Sequence, residues 1–142
     1  MVVVDASLVV EWVAPRPDPS SPAMRELAQL ELLEDVPLAP SLLWREVGNA
    51  LLSGVRRRRW SGTEADDSFR RLLRLPLRRV DSPLDLERAF DLARRHDNHP
   101  IYDLVYVALA QSFSDRLITQ DRELAALLGG PAWIALPPSG SG

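Results

Sequence analysis

Two kinds of apolar pattern alternate along the chain: short β-branched runs, and longer segments whose apolar residues recur every three or four positions. Val2-Val3-Val4 closed by Asp5 predicts a buried strand over 1–5. Leu8, Val9, Trp12 and Val13 then take helical spacing over 6–13, and the proline- and serine-rich stretch 15–22 predicts a loop. Ser21 before Pro22 marks the start of a helix running to about residue 34. Residues 36–39 predict a short strand, and Ser41 is placed as the cap of a long helix reaching about residue 59. Its apolar positions are Leu42, Leu43, Val47, Ala50, Leu51 and Val55. Ser61-Gly62-Thr63-Glu64 is a capping box for a helix to about residue 74. Residues 77–80 alternate apolar and basic, as a half-exposed strand does. Ser82-Pro83 restarts a helix expected to turn Leu84, Leu86, Ala89, Phe90 and Ala93 inward.

The most apolar segment opens at Pro100 and covers 101–113. Being apolar on nearly every face, it predicts a buried helix, and it is too short to span a membrane. Its one charge, Asp103, falls in the first helical turn, where an uncompensated buried carboxylate is costly. A base, a metal or a change of pKa has to answer it. Residues 116–119 then predict a strand ending at Gln120-Asp121, 123–128 a short helix stopped by Gly129-Gly130-Pro131, and 133–136 a last strand. Strands and helices in alternation predict an α/β fold around a parallel sheet, in one domain over 1–136 with a flexible tail at 137–142.

Asp103 has three companions that packing alone does not require. Asp5 and Asp121 each follow a predicted strand and so share its carboxyl end, the edge at which open parallel sheets bind ligands. Glu46 lies four residues from both Leu42 and Ala50 and shares their face, with Asn49 projecting from nearly the same side. Structural alternatives stay open: Asp5 and Asp121 also suit the N-caps of the helices that follow, and Glu46 suits a salt bridge with Arg45 or with an arginine of a neighbouring helix. If the four acids converge they repel, and a divalent cation with hard oxygen ligands, Mg²⁺ or Mn²⁺, is the economical answer.

Composition narrows the chemistry. The 142 residues contain no cysteine and two histidines, which excludes disulfides, thiolate catalysis and histidine-rich metal sites. All 17 basic residues are arginine, so phosphate-binding loops built on lysine and Schiff-base enzymes are excluded as well. The formal charge is −3, yet the arginines cluster, above all at Arg56, Arg57, Arg58 and Arg59. Genome composition explains a preference for arginine, and so does phosphate binding. The chain enters its first strand without a basic stretch and has no apolar run of membrane length, so a cytoplasmic protein without a signal peptide is expected. His96 and His99 suit helix-end roles, and Trp12, Trp44, Trp60 and Trp133 suit the core or a dimer surface.

At these acids the sequence resembles the PIN-domain ribonucleases, and within them the VapC toxins of bacterial toxin–antitoxin pairs. The matching stretches are Val3-Val4-Asp5-Ala6-Ser7, Pro40-Ser41-Leu42-Leu43-Trp44-Arg45-Glu46-Val47-Gly48-Asn49-Ala50-Leu51, Tyr102-Asp103-Leu104-Val105-Tyr106-Val107-Ala108-Leu109-Ala110 and Leu117-Ile118-Thr119-Gln120-Asp121-Arg122-Glu123-Leu124. The resemblance implies a PIN-like three-layer fold, with a central parallel sheet of about five strands flanked by helices, and hydrolysis of RNA phosphodiesters with Mg²⁺ or Mn²⁺. It makes Asp5, Glu46, Asp103 and Asp121 the metal-binding acids. Asp5 and Asp103 are then direct ligands, with Glu46 and Asp121 acting through water or holding a second ion. Ser7 and Thr119 match small hydroxyl positions that order water or phosphate, and Asn49 a polar position after the Glu.

The resemblance further implies a homodimer and a cognate VapB-like antitoxin whose C-terminal segment covers the active groove. A substrate-side role for Arg56 to Arg59 is a separate expectation, against which stands the favourable interaction of solvated arginines with a helix C-terminus. Two alternatives remain: a PIN nuclease of RNA processing that has no antitoxin, and a silent PIN-like scaffold that binds RNA or a partner. A phosphatase of the haloacid dehalogenase type is set aside, because it needs a second Asp where this chain has Ser7.

Overall fold

In the computed structural model, which describes residues 1–113 and 116–135, the opening apolar run forms β1 (Val2–Val4), buried at all three positions. There follow α1 (Ala6–Val13), α2 (Pro22–Leu32), β2 (Leu38–Ala39), α3 (Leu42–Arg56), α4 (Gly62–Arg74), β3 (Arg78–Arg79), α5 (Pro83–Arg95), α6 (Ile101–Ser112), β4 (Arg116–Ile118), α7 (Arg122–Leu127) and β5 (Ile134–Ala135). This is the α/β succession that the pattern predicts. The expected domain end at 136 and the tail 137–142 lie outside the described residues.

The strands form one five-stranded sheet in the order β3-β2-β1-β4-β5, parallel throughout. From β1 the chain steps outward to β2 and β3, then crosses back past β1 to β4 and β5. Right-handed crossovers put the helices of the two legs on opposite faces, which gives three layers. Accordingly α1 packs on α2, α3 and α4, while α6 packs on α5 and against β1 and β4. The connections leaving β1 and β4 diverge to opposite faces, so their carboxyl ends open the crevice that parallel sheets offer to ligands. Register does the rest. Val4 pairs with Ile118, so the next residues, Asp5 and Thr119, come side by side at that edge.

Helix α6 is held by burial. Leu104, Tyr106, Val107, Ala108, Leu109 and Ala110 are all buried, and each large apolar side chain taken from water contributes about 1.5–3 kcal/mol. That sum outweighs the cost of holding Asp103 in the first turn. Helix α4 starts at the predicted capping box, with the Ser61 hydroxyl accepting from Glu64 N–H and Glu64 accepting from Ser61 N–H.

Three local expectations are corrected. Ser41 does not cap α3 through its side chain; its N–H (2.9 Å) and hydroxyl both donate to Asp81, tying the start of α3 to the loop before α5. Helix α3 ends at Arg56 rather than near residue 59, because Arg58 takes a left-handed φ of 58° and Arg59 N–H turns back to the Gly54 carbonyl at 2.8 Å. In α5 the inward face is carried by Asp85, Ala89 and Ala93, at i, i+4 and i+8. Leu84, Leu86 and Phe90 sit to either side of that stripe and are exposed, since small residues let α5 lie close to α6 and leave no room for larger ones between them.

Candidate active site

Asp5 lies at the junction of β1 and α1, 6% exposed. Its Oδ1 accepts the Ser7 hydroxyl (2.6 Å) and, as N-cap of α1, Leu8 N–H (3.3 Å). Its Oδ2 accepts the Thr119 hydroxyl across the β1–β4 seam. The Thr119 oxygen in turn accepts Asp121 N–H at 2.9 Å, and the Ser7 oxygen accepts Gln120 N–H at 3.1 Å. Two small hydroxyls thus lock the end of β4 to Asp5. Asp121 caps α7 by accepting Leu124 N–H at 3.0 Å. The capping alternative therefore holds for both Asp5 and Asp121.

Asp103 stands in the first turn of α6 and accepts no hydrogen bond among the described residues. Glu46, half-buried on α3, accepts the hydroxyl of the buried Tyr106. The arginine partner considered for Glu46 is not there: among the described residues, none of the four acids forms an ion pair. Tyr106 is the residue the sequence pattern did not single out. It lies three residues after Asp103 and hence on the same side of α6, which was the available signal.

The electrostatics tie these groups together. Burial pushes the Asp5 carboxyl up to about 6, against the hydrogen bonds of Ser7, Thr119 and Leu8, and the charge of Asp103 raises it further. Glu46 is raised by burial and by Asp103, with the Tyr106 hydroxyl pulling the other way. Asp103 is raised by burial and by Asp121, and lowered by His99. Burial and the Glu46 charge drive the Tyr106 phenol well above its ordinary range. Asp103 is the common neighbour: its charge is felt at Asp5 and Glu46, and it feels that of Asp121.

The other expected residues are placed differently. Asn49 is exposed and lines an open groove of about 520 Å³ with Trp44, Gly48, Leu52 and Phe69, making no hydrogen bond to the acids. Arg56, Arg57, Arg58 and Arg59 are exposed around the end of α3, and Arg59 stacks over Trp60 at 4.9 Å. None of the four pairs with an acid among the described residues. His96 caps the C-terminus of α5, and His99 turns its Nδ1 to the Pro100 carbonyl at 2.8 Å.

Comparison with known proteins decides the family. The PIN domain model matches residues 2–128. The chain belongs to the PIN-domain family. Within the family it is similar to Ribonuclease VapC3 of Pyrobaculum aerophilum, at 34% identity over 126 residues that cover 87% of this chain and 92% of the relative. It is also 38% identical to Ribonuclease VapC1 of Mycobacterium tuberculosis over 135 residues, 94% of this chain and 96% of that one. Both spans contain nearly the whole PIN domain, so the chain is a VapC-type PIN protein.

As it stands, this PIN domain gathers no group of three or more acidic or histidine side chains in ready coordinating geometry among the described residues. The donor set nonetheless fits a hard divalent cation. It is all oxygen, three of its members are held above their ordinary pKa by burial and mutual charge, and among the described residues no arginine pairs with them.

Proposed function

We propose that the protein is a divalent-metal-dependent endoribonuclease that acts as the toxin of a toxin–antitoxin pair. One observation supports this best: the acids at the carboxyl ends of β1 and β4 and on α3 and α6 repel one another through Asp103, and among the described residues none of the four forms an ion pair. Like charges held this close either raise one another's pKa or are answered by a cation, and a bound divalent ion relieves the repulsion while keeping the acids ionised. The names of the relatives, both ribonucleases of the VapC kind, point the same way.

Asp5 and Asp103 would hold Mg²⁺ or Mn²⁺, with Glu46 and Asp121 alongside, and the bound cation supplies Lewis-acid stabilisation of the charge developing on a phosphoryl oxygen. Ser7 and Thr119 orient the Asp5 carboxylate by donating one hydroxyl to each of its oxygens. Thr119 also accepts the backbone N–H of Asp121, so one hydroxyl links the two strand-end acids. The exposed arginines beyond α3 are suited to contact RNA phosphates. The exposed apolar residues of α5 (Leu84, Leu86, Phe90) and of α3 and α4 (Leu52, Phe69, Leu73) are surfaces that a second copy or a VapB-like antitoxin would cover. No helix among the described residues is long and apolar enough to cross a membrane, and a cytoplasmic toxin is proposed.

The test uses purified protein, free of any antitoxin, incubated with RNA in Mg²⁺, in Mn²⁺ and in a chelator, beside Asp103→Asn. Cleavage should need the metal and fall at least about 100-fold in the variant, the scale expected when a charge-stabilising group is lost. Cleavage indifferent to chelation and to the substitution would refute the metal mechanism. Binding of RNA without cleavage of any substrate would instead favour the scaffold.

A further inference from the structure

We infer that Tyr106 is a positioning residue for Glu46, fixing one oxygen of that carboxylate so that the other is presented in a single orientation. The inference rests on the metal-nuclease function proposed above. Tyr106 is 2% exposed, and its hydroxyl donates to Glu46 Oε1 at 2.5 Å. The second oxygen of Glu46 accepts no hydrogen bond among the described residues.

A half-buried glutamate on its own has three side-chain torsions to spend, and a loosely held carboxylate is a poor ligand. The phenol limits that freedom, because its ring is buried where α6 packs into the protein and its hydroxyl holds one carboxylate oxygen. Tyr106 also stands three residues from Asp103 on α6. One helix therefore supplies an acid of its own and the donor that orients an acid of α3. The contact is long-range, 60 residues apart in the chain, and ties α6 to α3.

Calorimetric titration of the metal-free protein with Mn²⁺ tests this without relying on activity. Wild type, Tyr106→Phe, Glu46→Gln and the double variant are compared, with thermal unfolding in chelator to confirm that each is folded. Tyr106→Phe keeps the buried ring and should weaken Mn²⁺ binding about 10-fold or more. It should cost nothing further in the Glu46→Gln background, because the two residues act through one contact. Wild-type affinity in Tyr106→Phe, or an equal loss with and without Glu46, overturns the positioning role while leaving the metal site standing. No Mn²⁺ binding by wild type would remove the metal function itself, and the inference with it.

A second measurement avoids the substitution. The chain has two tyrosines, so a Tyr102→Phe protein grown with 3-fluorotyrosine carries its one fluorine at position 106. Saturating Mg²⁺ should shift that fluorine resonance. A resonance that stays fixed while calorimetry registers binding overturns the inference.

Discussion

Replacing Asp5 by Asn separates the cost of burying this carboxylate from the value of its hydrogen bonds. In the folded protein the Asp5 carboxyl titrates at about 6 against an ordinary 3.8, and a group whose pKa is raised by folding stabilises the protein below its unfolded pKa and loses that contribution as pH rises through the folded one. The window therefore lies between about 4 and 6, and with about 1.4 kcal/mol per pKa unit the loss is on the order of 3 kcal/mol. The amide of Asp5→Asn does not ionise and escapes that loss. It does mispair with the Thr119 hydroxyl, which costs about 1–3 kcal/mol. That penalty is nearly independent of pH and cancels when two pH values are compared. Urea unfolding in chelator at pH 4 and pH 7.5 should show the variant gaining about 2–3 kcal/mol on wild type between them. Divalent cation should restore wild type at pH 7.5 and do little for the variant, since only the carboxylate gains from a cation. Parallel stability curves for the two proteins would refute the assignment of Asp5 as an acid whose burial outweighs its hydrogen bonds.

Two other substitutions probe parts of the molecule away from the acids. A Cβ at Gly54 would stand 2.1 Å from the ring of Trp60, whose Nε1–H donates to the Leu51 carbonyl at 2.9 Å. Gly54→Ala should thus destabilise the protein by about 1–3 kcal/mol, despite the roughly 1 kcal/mol that alanine gains in a helix, and a raised melting temperature would contradict the close approach. Arg57→Glu combined with Arg58→Glu should weaken RNA cleavage at low salt and make the salt dependence of RNA binding shallower by about 1.4 in log–log slope, two phosphate contacts' worth on a single strand. An unchanged slope would leave these arginines as solvated helix-end charges.

The order of elements was legible because local physics sets it. Val2-Val3-Val4 and the run from Ile101 are apolar in ways only a buried strand and a buried helix satisfy, and Ser61 with Glu64 writes a helix start into four residues. The spacing of Glu46 from Leu42 and Ala50 likewise set the face on which it lies, and three of the acids were conspicuous as charges in or just after apolar runs. Where the outcome depended on neighbours from elsewhere in the chain, local pattern was silent or misleading. Leu84, Leu86 and Phe90 look like core residues until α6 is laid against the small face of Ala89 and Ala93. Ser41 looks like a cap until Asp81 claims its donors.

By itself, then, the sequence determined the order of the elements and made the acids conspicuous, because periodicity, capping and the cost of a buried charge are properties of short stretches, while the family resemblance rested on four short motifs in order. Only the tertiary structure decided what those acids meet. The parallel register of β1 with β4 sets Asp5 beside Thr119, 114 residues away, and the packing of α6 brings the Tyr106 hydroxyl, rather than an arginine, to Glu46. Such partners are chosen by the sum of burial over the whole sheet and its helices, and no single stretch contains that sum.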